Sequence, residues 1–173
     1  MMKNYYIDYP TEYDLSYLKS GWAKKNFNIE ADSILAFLGP LKGNAKSSIP
    51  ATQLAYFSEA EKVLHLVTEH RRLSKREMIL RRHIFLEIIS KSIGNESSIV
   101  DNNIVVFNQQ LSISHLASNL RASMFHIAIL ISNDDNCSDF LSLSQLDLNP
   151  KHFAIAVMQK YCTAINTLCT QSE

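Results

Sequence analysis

The sequence has little glycine, proline or cysteine. Its 173 residues include four glycines, four prolines and three cysteines. Glycine and proline supply the tight turns of all-β sandwiches and barrels, so their scarcity favours long helices. The cysteines, Cys137, Cys162 and Cys169, form no Cys-x-x-Cys pair and are odd in number. They therefore indicate free thiols in a reducing compartment rather than a disulfide framework.

The chain also lacks an excess of charge of one sign and a long apolar run. It has 17 basic and 17 acidic residues, for a formal net charge of zero. Dedicated nucleic-acid binders usually carry a basic excess, although the distribution of charge matters more than its sum. No stretch has the length and apolar character of a signal peptide or a membrane span. We expect a cytoplasmic protein that has no membrane partner.

Apolar material is plentiful, since 46% of the residues are hydrophobic and eight are phenylalanine. Their spacing predicts a mainly α fold, a helical domain with a helix-turn-helix-like core and one or two short β-hairpins. The stretch 42–50 has the composition of a linker. It divides an N-terminal arm and helical pair (1–50) from a main helical, winged-helix-like domain (51–173). Helices are predicted at 14–25, 29–38, 58–72, 74–93, 112–132 and 150–169.

Helix-start signals support several of these boundaries. Ser58-x-x-Glu61 and Ser74-x-x-Glu77 both match the capping box, in which the serine and the glutamate satisfy free backbone N–H groups at a helix start. We therefore predict that both serines cap helices, with a break at residues 73–74. Gly94 is a typical helix stop, and the Asn-Pro pair at 149–150 a typical helix start.

Two segments show strand character. Residues 99–107 predict a hairpin whose tight turn is at Asp101-Asn102-Asn103. Residues 140–148 alternate between apolar and polar side chains, so a short strand or hairpin competes with a helix there.

Residues 113–132 combine a helical apolar pattern with a small residue, Ala117, where two helices would touch. This segment resembles the helix-turn-helix of bacterial regulators. With the basic helix before it and the alternating segment after it, the stretch 75–150 resembles the winged-helix portion of the cyclic-AMP-receptor/FNR-like regulators, without their nucleotide-sensing domain. The buried positions would be Leu116, Leu120, Ala122, Ile127 and Leu130.

The resemblance implies a non-enzymatic, transcription-regulatory or other nucleic-acid-associated protein. DNA would be held through backbone contacts from a basic cluster. Its members are Arg71, Arg72, Lys75, Arg76, Arg81, Arg82 and Arg121. A solvated helix face, paired with neighbouring glutamates, is the alternative interpretation of this charge run.

The second helix of the motif departs from the regulator pattern. Arg121 stands where glycine usually makes the turn, which costs about 1 kcal/mol or more in a left-handed conformation. Met124, Phe125 and Ile129 would face the groove, and none can form a bidentate contact with a base. These apolar side chains suit a core or a protein partner. The alternative function is therefore an interaction protein, such as a secretion adaptor, a chaperone, an immunity protein or an assembly subunit, or a homodimer.

Catalytic motifs are not found in the sequence, which has no phosphate-binding loop, dinucleotide fingerprint or zinc-protease signature. Glu61, His65, Glu69 and His70 would share one helix, but a zinc site needs ligands that converge from a second element. We predict no catalytic residues, no metal and no cofactor. Cys162 lies on an apolar helix face and is predicted to be buried and structural.

Overall fold

The computed structural model describes residues 1–43, 49–118, 122–132 and 139–170, and it has an α/β fold. The mainly α prediction is therefore wrong. The strands are β1 (Lys3–Ile7), β2 (Tyr13–Asp14), β3 (Ser33–Gly39), β4 (Leu41–Lys42), β5 (Val63–Arg71), β6 (Ser97–Val100), β7 (Asn103–Val106), β8 (Gln109–Gln110), β9 (Ser112–Ser118) and β10 (Ala122–Leu130). The helices are α1 (Trp22–Phe27), α2 (Ala51–Glu59), α3 (Lys75–Ile93) and α4 (Pro150–Thr170), with a 3-10 turn at Leu15–Tyr17.

A five-stranded mixed sheet forms the centre of the molecule, with the strand order β1-β3-β5-β10-β9. Strand β1 runs parallel to β3, and the other neighbours are antiparallel. Strands from both predicted units, 1–50 and 51–173, pair in this one sheet. Two smaller sheets flank it, one of β2 and β4 and one of β6, β7 and β8.

The two faces of the central sheet are covered differently. Helices α3 and α4 pack on one face, called here the first face, around Phe85, Phe125 and Tyr161. The 3-10 turn, α1 and α2 cover the opposite or second face, where Tyr13 and Trp22 are buried. Since apolar side chains project from both faces, the sheet is the middle layer of three.

The predicted helix-turn-helix at 113–132 is two antiparallel strands, β9 and β10. All nine residues of β10 are buried, because layers cover the strand on both sides. Such a strand has no period-two alternation, and its continuous apolar run is easily taken for a buried helix. The turn position, Arg121, lies outside the described residues. No winged helix is present in the described part of the chain.

The same ambiguity explains two other wrong helices. Residues 58–72 and 29–38 were predicted as helices, and they form strands β5 and β3 instead, each almost wholly buried. Ser58 lies inside α2 and does not cap a helix. At 14–25 the predicted helix is reduced to the 3-10 turn and α1. Of the predicted linker 42–50, residues 44–48 lie outside the described part.

The other helix-end signals, unlike the one at Ser58, agree with the structure. Ser74 caps α3 with a complete capping box, in which Glu77 N donates to Ser74 Oγ at 3.2 Å and Ser74 N to the Glu77 carboxylate at 2.8 Å. Gly94 ends this helix. The hairpin at 99–107 is confirmed as β6 and β7. The last helix begins at residue 150, and Asn149 Oδ1 accepts from His152 N at 3.0 Å.

The alternating segment at 140–148 is neither strand nor helix. It consists of turns, and one isolated bridge joins Phe140 to Gln110. Its leucines still enter the core of the first face, with Leu143 fully buried. Elsewhere, none of the helices that the structure describes has the length and apolar character needed to cross a bilayer.

Candidate functional site

The predicted basic cluster does not form one surface. Arg71 lies at the exposed end of β5, and Arg72 follows in a turn with a φ of 59°. Lys75 and Arg76 are exposed in the first turn of α3. These four residues are all at the corner between β5 and α3, and the last member, Arg121, lies outside the described ranges.

Arg81 and Arg82 project from α3 into two different environments. Arg81 Nη1 is 2.9 Å from His70 Nδ1, and His70 Nε2 is 2.9 Å from the Tyr161 hydroxyl. This network belongs to the first-face core, because His70 is fully buried. Arg82 Nη2 instead donates to Asn102 Oδ1 at 2.8 Å, at the edge of the sheet.

The predicted partner-binding residues are inside the protein. Met124 is 1% exposed, and Phe125 and Ile129 are 0% exposed. Met124 packs on the second face, while the other two pack on the first. They therefore form no accessible partner surface, and no recognition helix exists on which they could read DNA. Cys162, by contrast, is buried as predicted.

A polar cleft of about 480 Å³ lies where Arg82 emerges. Four elements meet there: the start of α2, helix α3, the β6–β7 hairpin and strand β9. Polar side chains dominate its walls, together with one isoleucine and one proline. The lining residues are Ile49, Pro50, Gln53, Arg82, Asp101, Asn102, Asn103 and Ser114.

The hairpin turn explains how two asparagines come to line this cleft. Asp101 and Asn102 have φ values of 48° and 63°, left-handed conformations that Asp and Asn adopt more easily than other non-glycine residues. Ser114 Oγ donates to Asn102 O at 2.7 Å, and Ser114 N donates to Asn103 Oδ1 at 3.0 Å. Arg82 adds its bond to Asn102. The turn is thus fixed to both β9 and α3.

The charge of Arg82 has no counterion among the described residues. No described carboxylate lies within 4 Å of its guanidinium, and its buried Nε has no hydrogen-bond partner in the described part of the chain. Burial lowers the pKa of Arg82, although an arginine remains charged at neutral pH. On β9, burial and then the Arg82 charge lower the pKa of His115. Among the described residues the cleft therefore holds an arginine charge that is paired with no carboxylate, beside polar side chains, and Asp101 is exposed at its rim.

The first turn of α2 adds further hydrogen-bond donors. Pro50 is its N-cap and provides no side-chain acceptor for the free N–H groups of that turn. Both Pro50 and Gln53 line the cleft. Backbone N–H groups at a helix start and a guanidinium both favour anions. The arrangement can therefore bind a carboxylate or a phosphate.

Sequence reasoning found only part of this site. Arg82 was included in a basic cluster, and Asp101 to Asn103 were predicted only as a turn. No sequence motif marks Gln53 or Ser114 as a site residue. Their only sequence signal is polarity beside buried strands, which many surface residues share. Metal ligation is not supported here, since the described residues contain no cluster of three or more His, Cys, Asp or Glu placed to hold an ion.

A family model described as "Domain of unknown function (DUF366)" matches residues 2–172. The chain belongs to this family. No curated protein matches the sequence.

Solved structures with the same fold include a protein of unknown function from Pyrococcus horikoshi. It has a TM-score of 0.84 and 19% identity, over 99% of this chain and 96% of that one. The biotin protein ligase from Aquifex aeolicus in complex with biotin and ATP has a TM-score of 0.60 and 12% identity, over 91% of this chain and 68% of that one. LipL1 from P. falciparum in complex with lipoate has a TM-score of 0.55 and 12% identity, over 95% of this chain and 62% of that one.

These likenesses establish the fold. The chain has an α/β fold similar to that of biotin and lipoate ligases, so the resemblance to winged-helix regulators is wrong, and with it the nucleic-acid-associated function. The alternative of a helical adaptor falls for the same reason. The fold is one that enzymes use, so it gives no support to a non-enzymatic role.

Proposed function

We propose that this protein is an enzyme that binds a small organic acid in the Arg82 cleft and activates its carboxyl group with ATP. The observation that carries the proposal is the half-buried Arg82 guanidinium, which has no counterion among the described residues. Perturbed charged groups in clefts are candidates for functional sites. The likeness to ligases that hold biotin and ATP, or lipoate, supports the choice of reaction.

Recognition in the cleft follows from its donors. A guanidinium matches a carboxylate or phosphate with two parallel hydrogen bonds, and it costs less to desolvate than an ammonium. Asn102 orients the Arg82 guanidinium through the 2.8 Å bond to Nη2. Ser114 and the hairpin backbone hold Asn102 in turn. An anion that enters the cleft meets a charge whose direction is already fixed.

In the proposed reaction a carboxylate oxygen of the acid attacks the α-phosphorus of ATP. The bond between the α-phosphorus and its bridging oxygen breaks, and an acyl-adenylate and pyrophosphate are formed. Both reactants are negatively charged, so the positive charge of Arg82 would reduce their repulsion. The buried Cys162 and exposed Cys169 are free thiols, which is consistent with a reaction in the cytoplasm.

Acid-dependent exchange of labelled pyrophosphate into ATP tests this reaction. Biotin, lipoate and octanoate would be assayed, each against its primary amide, which has no carboxylate to adenylate. We expect exchange with at least one acid and none with its amide. The variant Arg82→Gln should reduce the exchange by about tenfold or more, because a charged hydrogen bond contributes about 1.5–3 kcal/mol.

The matched control is Arg76→Gln on the same helix, since Arg76 is exposed and is not one of the residues that line the cleft. It should leave exchange unchanged. Equal losses in both variants would argue against the cleft as the site. Exchange that is absent for every acid, with no acid binding, would overturn the proposed function.

A further inference from the structure

The second face of the sheet contains an unusual buried cluster around Tyr13. Its side chain is fully buried, and five rings surround it. The ring centroids of His126, Trp22 and His65 lie 4.6, 5.1 and 5.5 Å from that of Tyr13. Phe37 and Tyr17 follow at 5.9 and 6.1 Å. Tyr13 thus occupies a pocket whose walls are aromatic on several sides.

The register of three neighbouring strands brings histidines together in this cluster. His126 of β10 lies opposite His115 of β9, and Ala128 lies opposite His65 of β5. His65 Nδ1 and His126 Nε2 are 3.0 Å apart, and His65 Nε2 is 3.1 Å from the Gly39 carbonyl. Burial lowers the pKa of His65 to about 3, and it holds that of His126 well below the usual value. Both rings are therefore neutral in the folded protein.

The proton positions follow from these contacts. A carbonyl oxygen can only accept, so His65 Nε2 carries the proton and His65 Nδ1 is an acceptor. His126 Nε2 must then donate to His65 Nδ1. A neutral His126 is left with Nδ1 as an acceptor. That atom is buried and has no hydrogen-bond partner within the described ranges.

Tyr13 does not satisfy this acceptor. Its hydroxyl is also buried without a partner among the residues described. The ring of Tyr13 lies against His126, but the hydroxyl makes no bond with Nδ1. The aromatic shape of the pocket suits its occupant, whereas the polar atoms of pocket and occupant do not match. Buried polar groups are nearly always paired, so two atoms that lack a partner among the described residues mark a place where a further hydrogen-bonding group would fit.

The segment that carries Tyr13 pairs with the fold over a short length, beginning at Thr11, whose N donates to Leu38 O at 2.9 Å. Strand β2 has only two residues and pairs with the two residues of β4. Tyr13 N donates to Pro40 O at 3.1 Å. Beside this segment lies a cleft of about 510 Å³, whose lining includes Tyr17 and Trp22. Since both rings also contact Tyr13, one layer of side chains separates the cleft from the buried pocket.

We propose that the Tyr13 pocket is a second ligand site, which binds a planar ring bearing an O–H or N–H donor when the Tyr13 side chain moves out. The ligand's ring replaces that of Tyr13 among the aromatic walls, and its donor bonds His126 Nδ1. The pocket lies on the second face and shares no residue with the Arg82 cleft. This inference goes beyond the proposed acid activation and does not depend on it.

Trp22 provides the readout, because it is the only tryptophan in the chain and contacts Tyr13. The probes are 4-methylphenol, which reproduces the tyrosine ring and its donor, and its methyl ether, which lacks the donor. Wild-type protein titrated with 4-methylphenol should give a saturable change in Trp22 emission. The methyl ether should bind at least tenfold more weakly. Equal affinity for the two probes, or no saturable change, would overturn the proposal.

Two variants complete the test. Tyr13→Ala vacates the pocket, so this variant should bind 4-methylphenol more tightly than the wild-type protein does. Addition of 4-methylphenol should also raise the melting temperature of the variant. Tyr13→Phe retains the ring and loses only the unpartnered hydroxyl, so it should melt no earlier than wild type. If Tyr13→Ala does not fold, the wild-type titration and the melting temperature of Tyr13→Phe still test the proposal. Earlier melting of Tyr13→Phe would mean that the hydroxyl is paired, and it would refute the argument.

Discussion

The two faces of the central sheet differ in what they bury and in how they are covered. Two long helices, α3 and α4, cover the first face, and their contacts are mostly between apolar side chains. Shorter elements cover the second face, and beneath them lie His65, His126 and the carboxylate of Glu69. Glu69 accepts from Gly21 N at 2.6 Å and from Ala23 N at 3.3 Å, and so it attaches α1 to the sheet.

This contrast indicates a division of labour between the faces. Long helices packed on apolar strands supply most of the area removed from water, which is the main source of stability. The second face is built from short elements over neutral histidines. It holds two buried polar atoms, the Tyr13 hydroxyl oxygen and His126 Nδ1, that have no partner in the described ranges, and a cleft lies beside them. Functional sites usually carry such departures from optimal packing, whose cost the rest of the fold covers. The following changes test that division.

The largest effect is expected on the first face, from Phe125→Ala. Phe125 is fully buried, with ring centroids 5.9 Å from Phe85 and 6.1 Å from Tyr161. Its loss should lower the free energy of unfolding by about 3–5 kcal/mol, as is typical of a buried phenylalanine. Urea denaturation measures this change. Leu80→Ala, on the exposed side of α3, should alter stability by no more than about 0.5 kcal/mol. Similar losses in both variants would remove the basis for assigning stability to this core.

On the second face, the test is how the free energy of unfolding depends on pH. His65 has a folded pKa of about 3, below its unfolded value near 6.5, so folding favours the neutral form. The contribution of neutral His65 to the free energy of unfolding is complete above pH 6.5 and is lost as the pH falls towards 3. Between pH 7 and pH 5 the loss should be about 2 kcal/mol for each histidine that folds neutral in this way.

The comparison variant for the pH test replaces His65 and His126 together by leucine, so that neither ring loses its partner alone. Its stability should fall less steeply than that of the wild-type protein over the same pH range. Other titrating groups, including His70 on the first face, are present in both proteins. Their effects on stability therefore cancel when the two pH curves are compared. Parallel curves would show that the buried histidines do not distinguish the second face.

A smaller effect is expected at the start of α3. Ser74→Ala removes the side-chain half of a capping box and should cost about 1 kcal/mol. Ser58→Ala is the matched control, because Ser58 occupies the same sequence pattern but lies exposed inside α2. Its free energy of unfolding should hardly change. An equal loss at Ser58 would contradict the helix boundaries on which the two faces are defined.

Local signals predicted the ends of elements better than their type. The capping box at Ser74, the stop at Gly94 and the start at Asn149 depend on contacts within a few residues, so they are recognisable in sequence. Strand β10 depends on partners on both sides that lie far away along the chain. Its nine buried residues fit a strand covered on both faces and a buried helix equally well. Three of the wrong helices, those that are β3, β5 and the β9–β10 pair, share this cause.

The candidate site was harder to predict, because no motif marks it. Gln53, Arg82 and Ser114 come from α2, α3 and β9, and only the folded sheet brings them together. Arg82 was placed in a cluster with Arg81, its neighbour in sequence. On a helix, adjacent residues point about 100° apart, and here one enters the first-face core and the other the cleft. Without the strand pairing, the sequence cannot separate these two roles.

The central claim is that Arg82 is an anion-binding residue, and calorimetric titration with matched acids and amides tests it most directly. Biotin, lipoate and octanoate, with their primary amides, would be titrated into the wild-type protein, Arg82→Gln and Arg76→Gln. We predict that at least one acid binds the wild-type protein and Arg76→Gln equally, at least tenfold more tightly than its amide. Arg82→Gln should lose that preference, since the charge that distinguishes carboxylate from amide is gone. An acid that binds Arg82→Gln as tightly as the wild-type protein, or binds no better than its amide, would contradict the claim.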